Sequence, residues 1–172
     1  MSLSESDLSK QFISLLEENK GILYKVARTY ATGDEEIKDL IQEISTQVWK
    51  AFPKFNLDYK FSTWLYRIAL NVAISNLRKE SKRNEIFRGF DEGIILKIPE
   101  EHEDSDQSIK LLYEIIGTLK LLDRALILLY FEEKTYSEIA QIMGITETNV
   151  ATKLSRLKKI IKDEFLKLTL NK

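Results

Sequence analysis

Apolar residues recur at intervals of three and four along most of the chain, the period of an α-helix with one buried face, and strand-like alternation is nearly missing. Leu8, Phe12, Leu15, Leu16, Leu23, Val26 and Tyr30 predict a first helix from about Asp7 to Ala31, with Gly21 as a local bend. Thr32-Gly33-Asp34 breaks the pattern, and Asp34, Glu35 and Glu36 fall where the positive end of a helix dipole favours acids. Ile37, Leu40, Ile41, Ile44, Val48 and Phe52 give a second helix that Pro53 ends. Its outer face carries Asp39, Gln42, Glu43 and Gln47. The run PKFNLDYK reads as a loop in which Phe55 and Tyr59 lie beside Lys54 and Lys60. Ser62 is the expected N-cap of a third helix, with Phe61 stapled onto Tyr66. That helix runs from Thr63 to about Lys79, with Leu65, Ile68, Ala69, Val72 and Leu77 inward. Trp64, Tyr66, Arg67, Asn71, Arg78 and Lys79 are left at or near its surface.

The composition then changes. Residues 84–108 hold eight acids against two bases, with Gly89, Gly93 and Pro99 as breakers, so this stretch is the expected linker, although Ile94, Ile95, Leu96 and Ile98 give it something to dock with. Helical periodicity resumes with Leu112, Ile115, Ile116 and Leu119 between Ile109 and about Lys120. A further helix from Asp123 holds Ala125, Leu126, Leu128, Leu129 and Phe131. The clearest local signal follows. From Thr135 to Leu157 a short helix with Ile139, Ala140 and Met143 leads through Gly144-Ile145-Thr146 into a helix with Val150, Leu154, Leu157 and Ile161 inward, reaching about Leu168. Thr135 and Glu138 have capping-box spacing, Thr146 can cap the second helix, and Gly144 stands where the turn favours positive φ. The outward face of that second helix shows Thr148, Asn149, Thr152, Lys153 and Arg156, side chains able to meet phosphates and base edges in a major groove. An ordinary helical hairpin with a solvated polar face is the alternative.

The expected fold class is therefore all-α: two small helical domains, residues 1–83 and 109–172, joined by an acidic linker at 84–108, the C-terminal one containing a helix-turn-helix. The 172 residues carry 26 basic and 27 acidic side chains, a net charge of −1, which by itself does not announce a nucleic-acid binder. Charge is segregated, however, and a phosphate feels the local field within a Debye length of roughly 10 Å. Cysteine is absent, which removes disulfides and thiolate metal sites; the one histidine, His102, lies in an acidic run without ligand spacing. No glycine-rich phosphate loop, nucleophile–base pair or metal constellation points to an enzyme, so neither catalytic residues nor a cofactor is expected. There is no signal peptide and no apolar run of about 18 residues, so a cytoplasmic protein without membrane insertion is expected. Aromatics interleaved with cations between Lys60 and Lys79 suit a single nucleic-acid strand, because rings stack on bases while cations hold the backbone. One of Phe61 and Trp64 is expected in the core instead.

Two runs and their order resemble a known family. DLIQEISTQVW, from Asp39 to Trp49, with FSTWLYRIALNVAISNLRK, from Phe61 to Lys79, resembles region 2 of bacterial RNA polymerase sigma factors; Asp123 to Lys159 resembles their region 4. Two regions with a short linker resemble the extracytoplasmic-function group. The resemblance implies that Asp39, Leu40, Gln42 and Glu43 dock on the β′ clamp helices of core RNA polymerase. It implies that Lys60, Phe61, Ser62, Thr63, Trp64, Arg67, Asn71, Arg78 and Lys79 bind the melted minus-10 promoter element. Thr148, Asn149, Thr152, Lys153 and Arg156 would read the minus-35 element. It also implies contact with the polymerase β flap and an anti-sigma partner. A rival reading is another regulator with a similar C-terminus and a helical sensor domain.

Overall fold

The structure is a computed structural model that describes the backbone of residues 5–88 and 107–170 and the side chains of all of these except 84–88. The described residues form seven α-helices and no strand: α1 Glu5–Tyr30, α2 Asp34–Ala51, α3 Phe61–Arg88, α4 Gln107–Thr118, α5 Leu121–Phe131, α6 Tyr136–Met143 and α7 Glu147–Leu170, with a 3₁₀ turn at Phe52–Lys54. The chain divides into two compact units, Met1–Glu80 and Ser81–Lys172, with the division inside α3. His102, the apolar run from Ile94 to Ile98 and most of the acids expected in the linker lie outside the described residues.

Local chemistry sets the breaks in the first unit. Gly33 precedes α2 with φ of +79°, a region that favours glycine because a Cβ clashes there. Glu36 reaches back over it, its carboxylate accepting from the Thr32 N–H at 3.0 Å and the Thr32 hydroxyl at 2.9 Å. α1 and α2 pack as a pair, burying Phe12, Leu23, Val26 and Tyr30 with Ile37, Leu40, Ile44 and Val48. Gly21 does not interrupt α1. α2 ends at Ala51, and Pro53 sits within the 3₁₀ turn, where its missing N–H leaves no ladder bond unmade.

α3 departs from expectation at both ends. It begins at Phe61, with the Lys60 carbonyl accepting from the Trp64 N–H, so Ser62 lies inside the helix and is not its N-cap. It also runs past Lys79 to Arg88: residues 80–88 lack proline and glycine, and nothing in them stops a helix that is already propagating. Leu65, Tyr66, Ala69, Leu70, Ala73, Ile74 and Leu77 are buried along it. Tyr66, expected near the surface, is thus a core residue, and Phe61 meets Phe52, Phe55 and Trp64.

In the second unit α4, α5 and α6 pack on α7. Leu121 and Leu122 form the first turn of α5, which starts earlier than Asp123 and buries Ile127 where the pattern pointed to Leu128 and Phe131; Leu128 is half-buried and Phe131 exposed. Its buried Arg124, 3% exposed, has no counterpart in the apolar pattern. The guanidinium donates through Nε to the Leu119 carbonyl at 2.9 Å and through an Nη to that of Gly117, closing the C-terminal end of α4, whose last carbonyls have no helical partner. Removing those donors leaves two carbonyls in a dry environment, each costing about 1 to 3 kcal/mol. Arg124→Ala is therefore expected to lower the midpoint of urea unfolding followed by circular dichroism. A midpoint equal to wild type would show that water replaces the guanidinium without loss.

Candidate nucleic-acid interface

The helix-turn-helix is built as its residues require. Thr135 Oγ1 accepts from the Glu138 N–H at 3.1 Å and Glu138 returns a carboxylate to the Thr135 N–H at 2.9 Å, a complete capping box. α6 ends at Gly144, whose φ of +68° places it in the left-handed region while its N–H still donates to the Ala140 carbonyl. Thr146 caps α7 by accepting from the Asn149 N–H at 3.1 Å. Ile139, Ile142, Val150, Leu154 and Leu157 seal the pair, while Ala140, Met143 and Ile161 are half-buried. Thr148, Asn149, Thr152 and Arg156 consequently share the exposed face of α7, with Lys153 half-buried at its edge. The Thr152 hydroxyl donates to the Thr148 carbonyl, which leaves its lone pairs outward.

A second polar face lies on α3. Lys60, Arg67, Asn71, Arg78 and Lys79 are exposed, and Ser62, Thr63 and Trp64 are half-buried. Phe61, at 7% exposure, is the core member of the pair Phe61 and Trp64, its ring packed against those of Phe52, Phe55 and Trp64. The available rings sit in and beside the preceding loop. Trp64 lies 4.7 Å from Phe55, both half-exposed, and Tyr59 is 71% exposed next to Leu57. Asn56 shapes that loop, its side-chain oxygen accepting from the Asp58 N–H and its carbonyl from the Tyr59 N–H.

On α2, Asp39, Gln42 and Glu43 are exposed, and Gln47 donates to Glu43 at 2.9 Å. Leu40, on the inward side of the same helix, is 8% exposed. Sequence reading missed Trp49, which stays partly exposed at the rim of the same face, its ring 4.9 Å from that of Phe12. It also missed a groove of about 310 Å³ in the second unit, walled by Ile127, Tyr130, Phe131, Ile161, Phe165 and Leu166. Lys158 borders it, its ammonium 4.0 Å from the Tyr130 ring centre; hydrogen bonding to Tyr130 raises the lysine above its ordinary pKa.

The described residues thus hold one helix-turn-helix and, on a separate helix, half-exposed rings beside an exposed stripe of cations. Comparison gives the family: the sigma-70 region 2 profile matches residues 15–83 and the sigma-70 region 4 profile matches residues 109–161. The chain belongs to the extracytoplasmic-function group of RNA polymerase sigma factors, which direct promoter-specific initiation of transcription. It is 26% identical over 168 residues to the ECF RNA polymerase sigma factor SigW of Bacillus subtilis, covering 89% of this chain and 88% of that one. It is 29% identical over 147 residues to the ECF RNA polymerase sigma-E factor of Escherichia coli, covering 79% and 76%. Among solved structures it resembles the sigma factor RpoE in complex with the anti-sigma factor NepR from Bartonella quintana (TM-score 0.76, 21% identity, covering 92% of this chain and 98% of that one). CnrH in complex with the cytosolic domain of CnrY gives a TM-score of 0.64 at 20% identity, covering 90% and 87%. No helix among the described residues is long and apolar enough to cross a membrane.

Gly144 offers a local test of the turn that aims α7. A Cβ there meets no atom within 4 Å, so backbone strain is the only objection to a side chain. Gly144→Val is expected to cost about 1 to 2 kcal/mol and Gly144→Asn distinctly less, because asparagine tolerates left-handed φ. Equal melting temperatures for the two variants would contradict the assignment of that turn.

Proposed function

We propose that the two polar faces divide promoter recognition between them. Thr148, Asn149, Thr152, Lys153 and Arg156 on α7 read the intact minus-35 element through its major groove. Lys60, Ser62, Thr63, Trp64, Arg67, Asn71, Arg78 and Lys79 bind the melted minus-10 strand, with Phe55 and Tyr59 supplying further ring surface. The observation that carries this reading is the placement of half-exposed rings at the start of α3, next to an exposed stripe of cations and an amide on the same helix. Asp39, Gln42 and Glu43 dock on the β′ clamp helices of core polymerase. The apolar groove beside Tyr130 and Phe165 faces a protein partner, the β flap or an anti-sigma factor; one structural relative, the sigma factor RpoE, is solved in complex with the anti-sigma factor NepR. The protein works in the cytoplasm, where polymerase and promoter are.

Energetics require the polymerase. Extruding a base costs a few kcal/mol, and stacking returns about 1 to 3 kcal/mol per base, so the two nearly cancel. With Phe61 and Tyr66 committed to the core, fewer rings remain for stacking than the sequence offers, and the balance tilts further against melting by the free protein. Free factor is expected to bind promoter duplex weakly and core enzyme tightly. Tight, sequence-specific duplex binding in an anisotropy titration without polymerase would contradict this.

Two substitutions separate the faces. Glu43→Lys reverses charge on an exposed side chain and is expected to abolish pull-down of core polymerase with an unchanged helical circular-dichroism spectrum; retained pull-down removes Glu43 from the docking face. Asn149→Ala or Arg156→Ala is expected to change base preference at one minus-35 position by about 1 to 3 kcal/mol. An unaltered preference with weaker overall binding would assign that side chain to phosphate.

A further inference from the structure

Four aliphatic side chains, Ile94, Ile95, Leu96 and Ile98, stand in a stretch that is otherwise acidic. Between Asp91 and Asp106 the chain carries seven acids against one base, Lys97. This run has no part in the promoter reading, and it belongs to the same compact unit, Ser81–Lys172, as the groove beside Tyr130. Aliphatic groups left in water carry the hydration cost that drives burial, so such a run favours an apolar surface within its reach.

The groove matches the run in both apolar character and charge. Of its walls Ile127 is buried, whereas Phe131 and Leu166 are 48% and 46% exposed. Its charged lining is Lys158 and Lys162, both exposed, with no acid among the described residues that line it. The Lys158 ammonium lies over the Tyr130 ring, which holds positive charge at the groove's edge. An apolar occupant flanked by acids therefore satisfies walls and rim together. A second copy of α7 does not: from Lys153 to Leu170 that helix carries six bases against two acids and would set lysine against lysine. Reach is sufficient, because the segment leads into α4, which packs against α7, one wall of the groove. The nine residues from Ile98 to Gln107 extend up to about 30 Å, against about 36 Å for the whole of α7.

We infer that in the free chain the apolar groove of α5 and α7 is occupied by the chain's own segment Ile94–Ile98, its flanking acids against Lys158 and Lys162. The groove assigned above to a protein partner is then already filled, and a partner must displace the segment to use it. That displacement rests on the partner reading, whereas occupancy does not and is measured with no partner present.

The chain has no cysteine, so two introduced thiols report on this contact alone. Ile95→Cys with Leu166→Cys, in the full chain at high dilution with oxidised glutathione, is expected to close an intrachain disulfide, seen as a faster-running monomer on a non-reducing gel. Ile95→Cys with Ile160→Cys is the comparison, since Ile160 is 41% exposed on the same helix and does not line the groove. The first pair is expected to close about tenfold faster than the second, because the docked segment raises the effective concentration of thiol at Leu166. Adding Lys158→Gln and Lys162→Gln to the first pair is expected to slow it towards the second. Equal rates for the two pairs overturn the inference, and so do disulfides that join two chains in place of one. An unchanged rate after loss of both lysines overturns the charge match on which the choice of occupant rests.

Discussion

Phe52 sits where α2 gives way to the 3₁₀ turn, and its ring lies 5.1 Å from Phe12, 6.0 Å from Phe55 and 6.3 Å from both Phe61 and Trp64. Through these contacts one side chain joins α1, the end of α2, the following loop and the first turn of α3. Burying a phenylalanine contributes about 1.5 to 3 kcal/mol, and tilted ring pairs add about 0.5 to 1.5 kcal/mol each. The proposed nucleic-acid face on α3 depends on this cluster, because it decides which rings are spent on the core and which keep an edge outward. Phe61 goes in; Trp64 and Phe55 keep part of their surface. The position of the loop tip with Tyr59 follows from the same contacts.

The second unit solves a different problem by different means. The exposed polar face of α7 proposed to read DNA is aimed by backbone geometry: a capping box at Thr135, left-handed Gly144 and the Thr146 cap fix where α6 ends and α7 begins. Behind them, Arg124 ties the end of α4 to α5, the helix that packs against α7. An exposed recognition surface is thus held by buried apolar contacts and satisfied helix ends. Its polar side chains are left free of structural duty, apart from the Thr152 hydroxyl.

Much of this was legible in the order of residues. The seven helices, the helix-turn-helix with both caps and the exposed α7 face follow from periodicity and short-range capping chemistry, which are local. What escaped was tertiary. The sequence put one of Phe61 and Trp64 in the core without saying which, and it left Tyr66 near the surface, because an aromatic suits either side of a surface; Phe61 and Tyr66 are the buried ones. Leu40 carries an inward position that periodicity already gave, and it is buried where α1 packs on α2. Arg124 reads as a surface cation until the carbonyls of Gly117 and Leu119 are seen above it. The extension of α3 through Arg88 was hidden by reading the change in composition as the end of a helix, although residues 80–88 contain no breaker.

One small protein is proposed to give core polymerase its promoter choice through two separate surfaces. Reconstituting the chain with core RNA polymerase and mapping transcript 5′ ends on genomic DNA tests it most directly. Discrete start sites that share two short sequence elements at a constant separation are expected. Start sites no different from those of core polymerase alone would contradict it.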